Sequence, residues 1–416
     1  MKIIADLHIH SKYSRATSKD MDVATLARFA EMKGIDLLGT GDFTHPQYFA
    51  ELRAALEPLG NGLFKLRNSR SPVHFMLTAE TSHIFSVKGK TKRVHMILFA
   101  PSLEVVEKID RFLARRGNIT SDGRPIFGMH VKELVKACLD ISPDVFFVPA
   151  HAWTPWFSVF GSMSGFDSLE ECFEEEAKNI HAIETGLSSD PAMNWRLSKL
   201  DRITCISNSD AHSPAKIGRE ANVFDCKMDY KEVLDVIRTG DPERFLYTIE
   251  FFPEEGKYHY DGHRNCGVVF DPKTTRDHEF LCPECGKRLT IGVMHRVDAL
   301  ADRPEGFKPQ GKVPFKSAVP LAEIIAAALG KGVNTQTVSR EYEKMIRSLG
   351  PELGILLEKD EKEVRAHADP RVADGVLNVR LGHVHIEPGY DGVYGKVKVF
   401  QEGERSAARK SQGELF

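Results

Sequence analysis

Through its first 250 residues the chain alternates short apolar runs with amphipathic stretches, and few architectures accept that alternation. The runs are Lys2–Leu7, Asp36–Gly39, Val73–Thr78, Val94–Phe99, Val145–Pro149, Ile180–Ile183 and Ile203–Ser207. Between most of them lie helix-like segments such as Val23–Lys33, Leu103–Arg115 and Val131–Leu139. Strands separated by helices pair in parallel through crossover connections. Seven of them suit a closed or nearly closed α/β barrel.

The pattern breaks near residues 251–262. The segment that follows, to about residue 316, is rich in Cys, His, Arg, Gly and Pro and has little periodicity, so a metal is expected to supply its core. From Pro320 to Glu363 helical spacing returns: Leu321, Ile324, Ile325 and Ala328 share one face, and Val338, Tyr342, Met345, Ile346 and Leu349 another. Val376–Leu381 and Val393–Phe400 read as late strands, and the last dozen residues as a loose polar tail. The expected units are a barrel over 1–250, a zinc-ribbon-like domain over 251–316, a mostly helical domain with late strands over 317–400 and a flexible tail over 401–416.

Composition narrows the function. A net charge of −3 excludes a polycation, so any nucleic-acid surface must be local. No run of about 18 apolar residues exists and the N-terminus lacks a signal-peptide pattern, so a cytoplasmic, nucleoid-associated protein without membrane contact is expected. Seventeen His beside an uneven seven Cys point to a metalloprotein and away from a disulfide scaffold.

Potential ligands stand at nearly every strand end. The first run closes on His8 and His10, an i, i+2 pair that strand alternation turns to one side. The second reaches Asp42 and His45, the third Glu80, and His95 lies early in the fourth. The fifth ends on His151, the sixth on Ile183-Glu184-Thr185-Gly186, and the seventh on Asp210 and His212, a second i, i+2 pair. Barrel enzymes keep their chemistry at this rim. Mixed imidazole and carboxylate ligands suit two or three divalent ions (Zn, Mn, Fe or Mg). Adjacent ions lower the pKa of a bound water and neutralise phosphoryl charge, which favours phosphate-ester hydrolysis.

This set of His8, His10, Asp42, His45, Glu80, His95, His151, Asp210 and His212 resembles the nine-ligand signature of the polymerase and histidinol phosphatase (PHP) superfamily. The resemblance covers residues 1–250 and implies a distorted seven-stranded (β/α) barrel with a trinuclear centre. One motif departs from it: Asp and His are adjacent in the superfamily pattern, and here they are Asp42 and His45. Glu80 is expected to bridge two ions. Asp190 is either a further site residue or a helix cap.

Cys282-Pro283-Glu284-Cys285-Gly286 is a zinc knuckle, and His263-Arg264-Asn265-Cys266-Gly267 repeats its spacing with His leading. A structural zinc held by His263, Cys266, Cys282 and Cys285 follows, with His259, His278 and His295 competing for the fourth place.

The order of parts, a PHP barrel, this cysteine segment and a helical tail, is similar to the endonuclease Q family over nearly the whole chain. That resemblance implies a repair endonuclease, cutting 5′ to deaminated bases (uracil, hypoxanthine, xanthine) and abasic sites and leaving 3′-hydroxyl and 5′-phosphate ends. The alternatives are a PHP-type small-molecule phosphatase, a general nuclease or exonuclease, and a non-catalytic clamp-recruited DNA-binding module. Candidate DNA contacts are Lys12 and Arg15 after the first ligand pair, Trp153 and Trp156 after His151, and Arg264. A hydrophobic lid or domain seam is the other reading of the tryptophans. Gln412, Leu415 and Phe416 resemble the short peptide that docks into a bacterial sliding clamp.

Overall fold

A computed structural model describes residues 1–400. Strands β1 (Lys2–Asp6), β2 (Leu37–Gly39) and β3 (His74–Val87) pair in parallel. β4 (Lys90–Ala100) then runs antiparallel to both β3 and β5 (Phe146–Pro149). β6 (Ala182–Glu184) follows β5, tied by Ala152 N–H to the Glu184 carbonyl, and pairs in parallel with β7 (Thr204–Ile206). The chain leaving β7 returns to β1 through a parallel bridge between Ala211 and Ile9.

The expectation of parallel strands throughout is therefore corrected at β4. Lys88 (φ 49°) and Gly89 (φ 76°) form a tight turn of the left-handed kind that right-twisted hairpins favour. β3 and β4 become one long ribbon through it. Glu80 and His95 consequently sit inside strands, paired with Ile97 and Ser82, and not near strand ends. The ribbon carries both of them over the barrel mouth.

Ile3 and Ala5 of β1, Leu7 just after it, Met76 of β3, Ile97 of β4, Val148 of β5, Ala182 of β6 and Ile206 of β7 fill one apolar cluster. Alternate residues face outward to a second cluster under the helices, among them α1 (Val23–Lys33), α2 (Leu103–Ala114) and α3 (Val131–Ile141). α1 begins on an Asp22 cap bonded to the N–H groups of Ala24 and Thr25, and stops at Gly34 in left-handed geometry.

Two further strands widen the sheet: β8 (Ala221–Asp225) lies antiparallel to β1, and β9 (Phe245–Glu250) antiparallel to β8. β10 (Phe315–Ser317) pairs in parallel with β9. Residues 251–314 are thus an excursion between neighbouring strands of one sheet.

The helical stretch after Pro320 resolves into α4 (Leu321–Leu329), α5 (Gln336–Leu349), α6 (Glu352–Leu357) and α7 (Glu361–His367). The strand expected over Val376–Leu381 is instead the end of α8 (Pro370–Arg380), which Asp369 caps and Pro370 opens. Its Val372, Val376 and Val379 recur at helical spacing and are buried. Gly375 lets α8 approach α4, since a Cβ there would lie 2.7 Å from Ile324. Of the strand expected over Val393–Phe400, only Lys396–Lys398 forms, against His385–Glu387. A buried Lys33–Glu352 pair at 2.5 Å fastens this helical unit to α1. No helix among the described residues is long and apolar enough to cross a membrane.

Candidate metal centre

His8 and His10 flank the bridge residue Ile9, so both imidazoles point into the mouth. Each is aimed by a carboxylate behind it. His8 Nδ1 lies 3.0 Å from Glu184, and His10 Nδ1 lies 3.0 Å from Asp42. Both Nε2 atoms therefore face inward, the arrangement in which a carboxylate sets the tautomer of a ligating histidine. Asp42, His151 and Asp210, each just past a strand, take left-handed backbone (φ 45°, 30° and 45°), strain of the kind that collects at functional sites.

The donor atoms form two groups that share Glu80. In the first, His10 Nε2 lies 3.2 Å from Glu80 Oε2 and 3.0 Å from Asp210 Oδ1. His8 Nε2 lies 3.6 and 3.8 Å from the same two oxygens. In the second, Glu80 Oε1 lies 2.6 Å from His95 Nδ1 and 3.1 Å from His151 Nε2, and the two imidazole nitrogens are 3.2 Å apart.

These residues fit a metal. His8 Nε2, His10 Nε2 and Asp210 Oδ1 are buried atoms that no hydrogen bond satisfies, although they converge. Ligands about 2.0–2.1 Å from one ion stand roughly 2.9–3.4 Å apart, close to the spacings above.

Electrostatics agree. Burial opposes charge on His8 and His10, yet Glu184 beside the one and Asp42 and Asp210 beside the other hold both well above the usual imidazole range. Burial likewise opposes charge on Glu80, but His95 and Arg124 keep it well below the carboxylate range. Burial pushes His95 down to about 4, leaving the neutral, ligating form. The site is built to hold positive charge.

The other expected ligands lie elsewhere. Asp42 is corrected to a supporting position: it accepts from His10 Nδ1, from Ser11 N–H and Oγ, and from Ser14 Oγ, and belongs to neither donor group. His45 is turned away, with Nε2 on the Thr120 carbonyl at 3.2 Å and its ring on Tyr13 at 4.4 Å. His212 stands beside the first group, its ring 4.5 Å from that of His10 and its Nδ1 on the Asp210 carbonyl. Asp190 accepts from Met193 N–H as the cap of the helix Pro191–Trp195 and belongs to neither donor group.

Glu184, noted at the end of the sixth run but given no place among the nine ligands, stands behind His8. Arg124 was missed. Arg124 donates to Glu80 Oε2 at 3.0 Å from a loop without any pattern.

Trp153 is buried and donates Nε1 to Asn194 Oδ1 at 2.8 Å, so it cannot stack on a base and is corrected to a core residue. Trp156 is 41% exposed, its ring 6.0 Å from Tyr258. Lys12 pairs with Glu51 and Arg15 with Asp122 at the rim. Arg264 N–H donates to Asp391.

In the excursion, the metal-binding atoms of His263, Cys266, Cys282 and Cys285 all lie within 4.8 Å of one another. Gly267 (φ 67°) and Gly286 (φ 69°) follow the two knuckles in matching left-handed geometry. The rival histidines are otherwise engaged: His295 with Asp261, His278 against Phe270, and His259 in a buried position outside the group. The apolar cluster around these four residues is small, with Val268, Cys282 and Leu289 buried and Cys266 and Phe270 packed against them. Gln412, Leu415 and Phe416 lie outside the described residues.

A family description named PHP-associated matches residues 194–242, and one named MJ0043 C-terminal domain matches residues 320–383. The Bacillus subtilis (strain 168) protein YqxK is 29% identical over 416 aligned residues, spanning 95% of this chain and 99% of its own. The crystal structure of the lesion-specific endonuclease PfuEndoQ from Pyrococcus furiosus superposes with a TM-score of 0.86 at 30% identity, covering 100% of both chains. Endonuclease Q in complex with a 27-mer duplex bearing an abasic lesion at the active site gives 0.84 at 31% identity, covering 97% of this chain and 98% of the other. With that agreement from end to end, the chain belongs to the endonuclease Q family of the PHP superfamily.

Proposed function

We propose that this protein is a metal-dependent DNA-repair endonuclease that hydrolyses the phosphodiester 5′ to deaminated bases (uracil, hypoxanthine, xanthine) and abasic sites. The observation that carries the reading is Glu80, whose two oxygens each face a separate group of buried imidazole and carboxylate donors. Full-length likeness to a lesion-specific endonuclease, and to its relative on abasic DNA, supplies the substrate class. The ring β1–β7 is read as the distorted PHP barrel, residues 251–316 as the zinc-bearing unit and 317–400 as the helical unit.

His8, His10, Glu80 and Asp210 would hold one divalent ion, and Glu80, His95 and His151 a second, with His212 placed to assist a third. Zn, Mn, Fe and Mg all suit these donors. Such ions supply an acidified water and neutralise phosphoryl charge. Glu184 and Asp42 hold the tautomers of His8 and His10, and Glu80 stays ionised between the two groups. Water attacks phosphorus, the bond to the 3′-oxygen breaks, and that oxygen takes up a proton. The ends are 3′-hydroxyl and 5′-phosphate, with no side-chain nucleophile.

Lesion reading needs a base outside the stack. Trp156, exposed beside Tyr258, is the aromatic group for that, and Arg15 by the first ligand pair and exposed Arg264 in the cysteine-bearing segment are cations for backbone phosphates. His263, Cys266, Cys282 and Cys285 would hold a structural zinc.

The test is incubation with Mn²⁺ of matched circular duplexes, with and without a single uracil, followed by mapping of the break. One nick directly 5′ to the uracil is expected. Equal cutting of the undamaged circle, or of linear DNA alone, would overturn the reading.

A further inference from the structure

Arg124 enters the metal site from the side, on a loop fixed at every step to the residues beneath. Thr120 offers its carbonyl to His45 Nε2. Gly123 donates N–H to the Tyr13 carbonyl at 3.0 Å and accepts from Thr44 Oγ1 at 3.2 Å. The contact is so close that a Cβ on Gly123 would lie 2.3 Å from Asp42 Oδ2. Asp122 accepts from the Arg124 backbone N–H and pairs with Arg15. Pro125 accepts from Ser82 N–H, and Ile126–Phe127 add a short strand beside β3.

So placed, the guanidinium lies 3.0 Å from Glu80 Oε2 with its side chain 26% exposed, while Glu80 itself is fully buried. Its hydrogen bond there engages one of five N–H groups, and the side chain keeps an opening to solvent. A purely structural counter-charge would not need that opening. Glu80 already meets His8, His10, His95 and His151. Oε2 also faces His8 and His10 in the group that includes Asp210, so a divalent cation held there would compete with Arg124 for it. The guanidinium is then a fixed, partly exposed positive group for an anion arriving beside the metal site, and its planar fork matches two phosphoryl oxygens.

We propose that Arg124 is a substrate-binding residue whose guanidinium takes a non-bridging oxygen of the scissile phosphodiester beside the metal site. The assignment rests on the phosphodiesterase reading and adds to it the residue that clamps the phosphate. Charge at that oxygen grows as water adds to phosphorus, so the contact strengthens along the reaction.

The experiment uses the full chain, as wild type, Arg124→Ala and Arg124→Lys, loaded with Mn²⁺. Three quantities are read: bound metal per chain, calorimetric binding of inorganic phosphate, and kcat and KM on a uracil duplex and on bis(p-nitrophenyl) phosphate. Arg124→Ala is expected to keep the wild-type metal count, to bind phosphate at least about 10-fold more weakly and to lose roughly 100-fold in kcat. Arg124→Lys, which keeps the charge and loses the fork, should fall between. Loss of metal from Arg124→Ala would reduce the residue to a prop for Glu80 and overturn the proposal, as would phosphate binding equal to wild type. If Arg124→Ala fails to fold, the same two outcomes are read on Arg124→Lys. A wild type that cuts the small diester but ignores the uracil would sink the repair reading and leave the assignment of Arg124 readable.

Discussion

Asp42→Asn separates a ligand from the group that aims a ligand, and the structure sets the size of the effect. Asp42 Oδ1 faces His10 Nδ1 at 3.0 Å, while Oδ2 receives Ser11 N–H at 2.6 Å, Ser11 Oγ at 2.7 Å and Ser14 Oγ at 2.9 Å. Asparagine matches the volume and tolerates the φ of 45° at this position. It has a single acceptor oxygen, and three donors converge where Oδ2 was. The amide therefore turns its carbonyl to Ser11 and Ser14 and its NH₂ to His10. His10 must then accept at Nδ1 and carry its proton on Nε2, the nitrogen that faces Glu80 and Asp210. That is the non-ligating tautomer. Loss of such a supporting carboxylate weakens metal binding by about 10–100-fold, or about 1.4–2.7 kcal/mol, and the forced tautomer places this case at the upper end. Titration of Mn²⁺, with free ion followed by electron paramagnetic resonance, should show the wild-type number of ions bound about 100-fold more weakly. Affinity within threefold of wild type would refute the argument. So would one ion fewer per chain at saturation, since that would make Asp42 a direct ligand.

Glu250 gives a pH test outside the metal site. Burial raises its pKa from 4.5 to about 8 against the help of Thr248 and Thr185, and the charge of Glu250 in turn adds to the burial that holds Glu220 well above the carboxylate range. The native state thus binds the proton more tightly than the unfolded chain, so this stability is present below about pH 4.5 and drains away as pH rises towards 8. Glu250→Gln should flatten that decline and gain about 1–3 kcal/mol at pH 8, read as the difference in Tm between variant and wild type across the range; a constant difference from pH 5 to 8 would contradict it. Cys282→Ala should leave the barrel ions in place while amide exchange accelerates across residues 261–292, because Val268 and Leu289 alone cannot replace the missing ligand. Unchanged protection in a zinc-free variant would show that the segment folds without metal.

The alternation of runs to residue 207 located β1–β7 because buried strands must be apolar on the side that meets the core. The same rule hid what rises above the core. β3 continues through Glu80-Thr81-Ser82-His83, a polar stretch in which Glu80 turns to the metal site and Thr81 and His83 bond to each other, so apolar counting stopped at Thr78 and missed the hairpin through Lys88 and Gly89. In Val376–Leu381 the valines satisfy both strand composition and helical spacing. The Asp369-Pro370 start, six residues earlier, decides for the helix.

The site was legible in its chemistry and illegible in its layers. Metal-binding imidazoles need carboxylates behind them, so His, Asp and Glu recur in the ring that touches the ions and in the ring that aims it. Spacing along the chain treats the two alike. Asp42 and Glu184 stand at strand ends as Asp210 does, yet they meet His10 and His8 from behind, while Asp210 reaches His10 Nε2 from the front. Only distances divide them. Arg124 was hidden more deeply, because a guanidinium that binds an anion needs no partner in the sequence and no secondary structure of its own. What places it is Gly123, the one residue type that fits against Asp42 at that point, and its reason for being glycine exists only once the loop has closed over the barrel.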